Sequence, residues 1–124
     1  RDYIHVNDLA DAHIKGLNFL FNKKNSSNIF SPEIFNLGNG KGYSVKEVIE
    51  KTEFVTGKKV NYKIAKRRDG DPPILISSSD KAYDILNWEP KYKGLKGLEK
   101  GIHETINWIK DNSNKGYFIQ KYIK

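Results

Sequence analysis

The strand-like stretches of this chain are all short, and that limits what it can build. Tyr3-Ile4-His5-Val6, Ile34-Phe35-Asn36-Leu37, Val60 to Ile64 and Ile74-Leu75-Ile76 hold three to five residues each. Runs so few and so brief do not make a parallel sheet by themselves. Helical signals fill the intervals. Asn7 or Asp8 caps a helix to about Phe21, with Leu9, Ala12, Leu17 and Leu20 as its apolar stripe. Ser44 and Glu47 form an S-x-x-E capping box, and Val45, Val48, Ile49 and Val55 carry a second helix that stops at Gly57. A short helix spans about Asp80 to Leu86 and ends before Trp88-Glu89-Pro90. A last one runs from about Leu95 to Asp111, with Leu98, Ile102, Ile106 and Ile109 on one face. The polar clusters Asn22 to Asn28 and Lys66 to Pro73 are loops. The expected fold is α/β, with mixed short strands and helices, forming the accessory half of a larger α/β enzyme. Residues 1–112 make the folded part and residues 113–124 a basic tail.

At 124 residues the chain is one domain or part of one. No apolar run approaches the roughly 20 residues a membrane span needs, so a membrane partner is not expected. The absence of cysteine excludes disulfides and thiolate metal sites and fits a cytoplasmic protein. A net charge of +7 favours anionic partners, although much of it is scattered lysine, which ordinarily forms a solvated surface. Aromatic residues are not interleaved with Arg or Lys and no helix carries a basic stripe, so nucleic acid is not expected either. His5, His13 and His103 lack metal-ligand spacing, and no Ser-His-Asp or Cys-His arrangement is legible. Trp88 and Trp108 read as core aromatics. The opening Arg1-Asp2-Tyr3-Ile4-His5-Val6 is already strand-like, as in a piece of something longer.

Two loops compete as anion sites. In Gly38-Asn39-Gly40-Lys41-Gly42 the first two glycines fit a G-x-G-x-x-G dinucleotide fingerprint, but Tyr43 stands at the third place. Ala65 and Lys66 end the following strand-like run where a ribose-binding acid belongs. The loop therefore reads as a structural turn that uses glycine for unusual backbone angles. The second loop, Arg67-Arg68-Asp69-Gly70-Asp71-Pro72-Pro73, sets forked cations beside carboxylates. Adjacent arginines bind phosphate bidentately, and a carboxylate three residues on accepts from a diol. That describes a nucleotide diphosphate clamp; a surface loop with local Arg–Asp pairs is the plain alternative. Asp8 and Asp11, one turn apart, are either a carboxylate pair or acids suited to the start of a helix.

"RDYIHVNDLADAH" resembles the R-D-Y-I-H-V-x-D-L-A-x-x-H signature of extended short-chain dehydrogenases/reductases that act on sugar nucleotides. "FNLGNGKGYSVKEVI", "GKKVNYKIAKRRDGDPP", "SSSDKAYDILNWEP" and "LEKGIHETINWIK" continue the order found in the C-terminal part of the 4-epimerases of that family. The resemblance implies NAD-dependent epimerisation at C4 of UDP-glucose/UDP-galactose, in a parent enzyme that forms a homodimer. It implies that Arg1 and Arg68 contact the substrate diphosphate, that Asp71 binds the UDP ribose, and that Tyr3 lies near the site. It also implies that the Gly-rich NAD loop and the catalytic Tyr-x-x-x-Lys lie before Arg1, so that this portion supplies the UDP-binding residues and is inactive alone. Four residues after Asp71, family members restricted to glucose and galactose carry tyrosine and those accepting N-acetylhexosamines carry a small residue. Leu75 is neither. Two other readings stand beside this one: a freestanding sugar-nucleotide-binding module without catalysis, and a basic interaction protein with no small ligand.

Overall fold

The computed structural model describes residues 1–24 and 32–112. The expected basic tail, and the part of the Asn22 to Asn28 loop beyond Lys24, lie outside the described residues. Four helices follow one another: α1 (Val6–Lys24), α2 (Val45–Thr56), α3 (Asp80–Leu86) and α4 (Gly94–Asn112). They pack in two pairs, α1 against α3 and α2 against α4. The long connections run between the pairs and carry the loops already singled out.

Each helix begins where local chemistry allows it. His5 supplies the carbonyl that accepts from the backbone N–H groups of Asp8 (3.0 Å) and Leu9 (3.1 Å), so α1 starts at Val6, ahead of both Asn7 and Asp8, the caps expected from sequence. The capping box on α2 forms as read: Ser44 Oγ accepts from the Glu47 N–H at 3.1 Å, and the Glu47 carboxylate accepts from the Ser44 N–H at 2.7 Å. Lys51 on α2 reaches Glu99 on α4 at 3.0 Å, which adds a polar tie across that pair.

The expected short strands are not formed among the described residues. A strand requires a neighbour to take up its N–H and C=O groups, and the extended connectors here have none in register. Several of their apolar side chains are open to solvent: Ile64 is 93% exposed and Ile34, Ile74 and Leu75 are also exposed. One isolated pairing survives. Arg1 and Tyr43 exchange backbone hydrogen bonds in both directions, each 2.7 Å long, as a hydrogen-bonded antiparallel residue pair does. The architecture is thus helical with extended connectors, and the mixed α/β reading is corrected to that extent.

The core is small and sits between α1 and α3. Trp88 is fully buried there with Ala12 and Ala82, flanked by Ile4, Phe35, Leu37 and Leu86. Its indole N–H donates to the Asp8 carbonyl at 3.0 Å. Asp8 itself is only 2% exposed. Its carboxylate accepts from the backbone N–H groups of Lys91 (3.0 Å) and Tyr92 (3.1 Å). Both donors are part-buried, and a donor stripped of its acceptor where water is excluded loses roughly 1–3 kcal/mol. Replacing Asp8 by Ala should therefore destabilise the full chain by roughly 3 kcal/mol, measured as a shift in the urea unfolding curve. A loss under about 1 kcal/mol would show that water replaces the carboxylate at no great cost.

Candidate functional site

The glycine loop is built around a carboxylate from the chain itself. Asp2 accepts from the Asn39 N–H at 2.8 Å and from the Ser77 N–H at 3.1 Å. Ser79 Oγ accepts from the Gly38 N–H at 2.8 Å and donates to the Gly38 carbonyl at 2.9 Å. A β-carbon on Gly38 would fall 2.3 Å from an Asp2 carboxylate oxygen, and one on Gly42 would fall 2.9 Å from the Ile76 side chain. Gly38 is thus required by close approach, while a side chain at 42 would displace that of Ile76. Gly40 alone in this loop adopts a positive φ, 67°, so the expectation of unusual backbone angles holds for one glycine of three. Two loop amides that would face a phosphate already hold side-chain oxygens.

Asp2, which shapes this loop, is not among the residues that the sequence singles out. No local signal could have found it, because Asp2 lies 37 residues from Asn39 in the chain.

This arrangement mounts the arginine loop. Arg1 is tied through its backbone to Tyr43, and its guanidinium reaches across to the second loop. One terminal nitrogen donates to Asp71 Oδ1 at 2.6 Å and the other to the Pro72 carbonyl at 2.7 Å. Arg68 donates to the remaining oxygen, Asp71 Oδ2, at 3.1 Å. Gly70, with φ 78°, lets the chain turn tightly enough for the Asp71 N–H to reach the Arg68 carbonyl at 3.3 Å. The structure therefore brings together Arg1, Arg68 and Asp71, which the sequence places in two distant segments. The Arg68 side chain remains 85% exposed, and those of Arg1 and Asp71 are about one-third exposed. Tyr3 and Leu75, 40% and 59% exposed, take no part in the hydrogen bonding of this cluster among the described residues. Tyr3 contributes a main-chain carbonyl that accepts from the Asn39 side chain.

The hydrogen bond from Arg68 holds the Asp71 carboxyl below the ordinary aspartate range, helped by the positive charges of Arg1, Arg68 and Arg67. A lowered carboxyl keeps its ion pairs at neutral pH and loses them only as pH falls through the lowered value. His5, by contrast, is occupied structurally. It stacks on Tyr92 at 3.9 Å between ring centres, and its Nδ1 accepts from the Asn7 N–H at 3.2 Å. Tyr92 donates to Glu104 at 2.7 Å, which pushes the phenol above its ordinary range. Among the described residues no cluster of His, Asp and Glu could hold a metal ion, and no helix is long and apolar enough to cross a membrane.

No protein-family model matches the chain. Individual relatives do. A UDP-glucose 4-epimerase of Halalkalibacterium halodurans is 49% identical over 124 residues, all of this chain and 34% of that protein. One of Corynebacterium glutamicum is 46% identical over 92% of this chain and 32% of its own length. Among solved structures, a UDP-glucose 4-epimerase superposes with a TM-score of 0.76 at 40% identity, covering 95% of this chain and 33% of that one. A UDP-Glc/GlcNAc 4-epimerase from Campylobacter jejuni gives a TM-score of 0.67 at 38% identity over 87% of this chain. Fold and sequence together place the chain with the C-terminal part of short-chain dehydrogenase/reductase-type enzymes. Within that class it is a relative of the UDP-glucose 4-epimerases, which are isomerases, and it spans about a third of their length.

Asp71 should titrate below an ordinary aspartate when its carboxyl carbon is followed by NMR, and Arg68→Ala should move that midpoint upward. An ordinary midpoint in the unaltered chain would mean that the arginine pairs do not persist in solution.

Proposed function

We propose that the Arg1–Arg68–Asp71 cluster holds the UDP of a UDP-sugar, and that the protein to which this chain belongs interconverts UDP-glucose and UDP-galactose by inversion at C4. The observation that carries this reading is the meeting of two arginines from distant segments on one half-buried carboxylate. Guanidinium groups stay charged at any physiological pH and fork onto two oxygens, which suits a diphosphate. Arg68 uses one donor on Asp71, so most of its fork is free for a ligand. Arg1 uses two, and its remaining N–H groups are available. Each oxygen of Asp71 takes one arginine and retains a lone pair for a ribose hydroxyl.

Inversion at C4 requires the reacting sugar to present opposite faces to the same chemistry. A site that grips the nucleotide and leaves the sugar mobile meets that need, because binding energy from the non-reacting part of a substrate positions the rest. In this reading Leu75, four residues beyond Asp71, lies toward the sugar and leaves more room than a tyrosine there would.

NAD dependence is carried over from the resemblance. The described residues do not fit the dinucleotide: Asp2 and Ser79 already occupy the Asn39 and Gly38 N–H groups of the glycine loop, and a phosphate there would meet the Asp2 carboxylate. No step at C4 is assigned to a residue of this chain, which in this reading contributes the grip and not the chemistry.

Arg68→Lys keeps the charge and removes the fork. It should weaken UDP binding about tenfold, or ~1.4 kcal/mol, within the range of one charge-assisted hydrogen bond. Isothermal titration calorimetry with UDP, on the protein as the cell makes it, measures this. Unchanged affinity would remove Arg68 from the site.

A further inference from the structure

The resemblance gives Asp71 a contact with the nucleotide's ribose. Its geometry suggests a second role. The two carboxylate oxygens are divided, Oδ1 to Arg1 at 2.6 Å and Oδ2 to Arg68 at 3.1 Å. Neither arginine is held at its head by any other charged group among the contacts described, and the Arg68 side chain is 85% exposed. A long exposed side chain left to itself samples many rotamers, and ordering it on binding costs roughly 0.5–1.5 kcal/mol. A carboxylate that fixes both heads beforehand removes that ordering from the binding step. It also sets the distance between two cations that must engage neighbouring phosphates.

The carboxylate is backed by main-chain contacts. Gly70 makes the turn, the Asp71 N–H closes it on the Arg68 carbonyl, and the adjacent Pro72 carbonyl takes the second nitrogen of Arg1. Arg1 in turn is fixed at its backbone by Tyr43. Every part of the cluster is anchored except the head of Arg68, and Asp71 is what holds that.

We propose that Asp71 is a positioning residue for the diphosphate grip, acting through both Arg1 and Arg68 in addition to any contact of its own with the nucleotide. This rests on the nucleotide-binding reading given above. It separates Asp71 from two simpler roles. A carboxylate that touched only the ribose would act independently of the arginines. One that merely neutralised them would compete with the phosphates, and its removal would tighten binding.

A double-mutant cycle decides among these. UDP affinity would be measured by isothermal titration calorimetry for the unaltered protein, Arg68→Lys, Asp71→Asn and the double variant, with thermal midpoints recorded as a check on folding. Asp71→Asn should lose about tenfold or more, and Arg68→Lys should cost less than threefold further in that background instead of its own tenfold. Additive losses would overturn the positioning role and leave a ribose contact; tighter binding by Asp71→Asn would overturn it in favour of a counter-ion. Should Asp71→Asn fail to fold, Asp71→Glu, which keeps the charge and displaces both arginine heads, is put through the same cycle. An unaltered protein that does not bind UDP overturns the nucleotide reading itself, an outcome distinct from additivity in a protein that binds.

Discussion

The buried carboxylate of Asp8 is the interaction on which the rest of this structure leans. It lies in the first turn of α1, where an acid is favoured by the helix dipole, yet its hydrogen bonds leave the helix altogether. They run to the backbone of Lys91 and Tyr92, more than 80 residues along the chain. The carbonyl of the same residue takes the indole of Trp88. One residue thereby seats the segment that follows α3 against the start of α1, and the core of Ala12, Ala82 and Trp88 closes between them. Among the described residues few side chains are fully buried, and this polar anchoring ties the start of α1 to the segment after α3.

Asp2 repeats the device at the glycine loop. A carboxylate from an extended entry segment satisfies two loop amides, and a glycine without a side chain makes the approach possible. The loop that looks like a phosphate cradle in one dimension is, in three, an internal joint already filled by the chain's own anion. The arginine loop is the opposite case. Its cations face outward, and the carboxylate among them leaves them an excess of positive charge. The two loops differ in which partner the fold supplies.

That contrast also explains what the sequence could convey. The capping box at Ser44 and Glu47, the helix from Asp80 to Leu86 and the stop at Gly57 depend on neighbours within a few residues, and all are legible. The Arg68–Asp71 pair, three residues apart, belongs with them. The strand-like runs misled because alternation reports which way side chains face and not whether another strand lies alongside to receive hydrogen bonds. Ile64 alternates correctly and still points into solvent. The Arg1–Asp71 contact spans 70 residues and leaves no local trace; only the resemblance to a family linked those two segments beforehand. Asp8 was visible as an acid in a first turn, while its partners were not.

The reciprocal backbone pairing of Arg1 with Tyr43 carries one more consequence. Successive side chains of an extended segment point to opposite sides, so this pairing selects which of two neighbouring residues meets the arginine loop. Shifted by a single position, so that Asp2 paired with Tyr43, the entry segment would turn Asp2 toward Asp71 and bring Tyr3 to the glycine joint. The site would then present carboxylate to carboxylate. The charge that the entry segment brings to Asp71 is thus set by the phase of one short backbone pairing, with no change in composition.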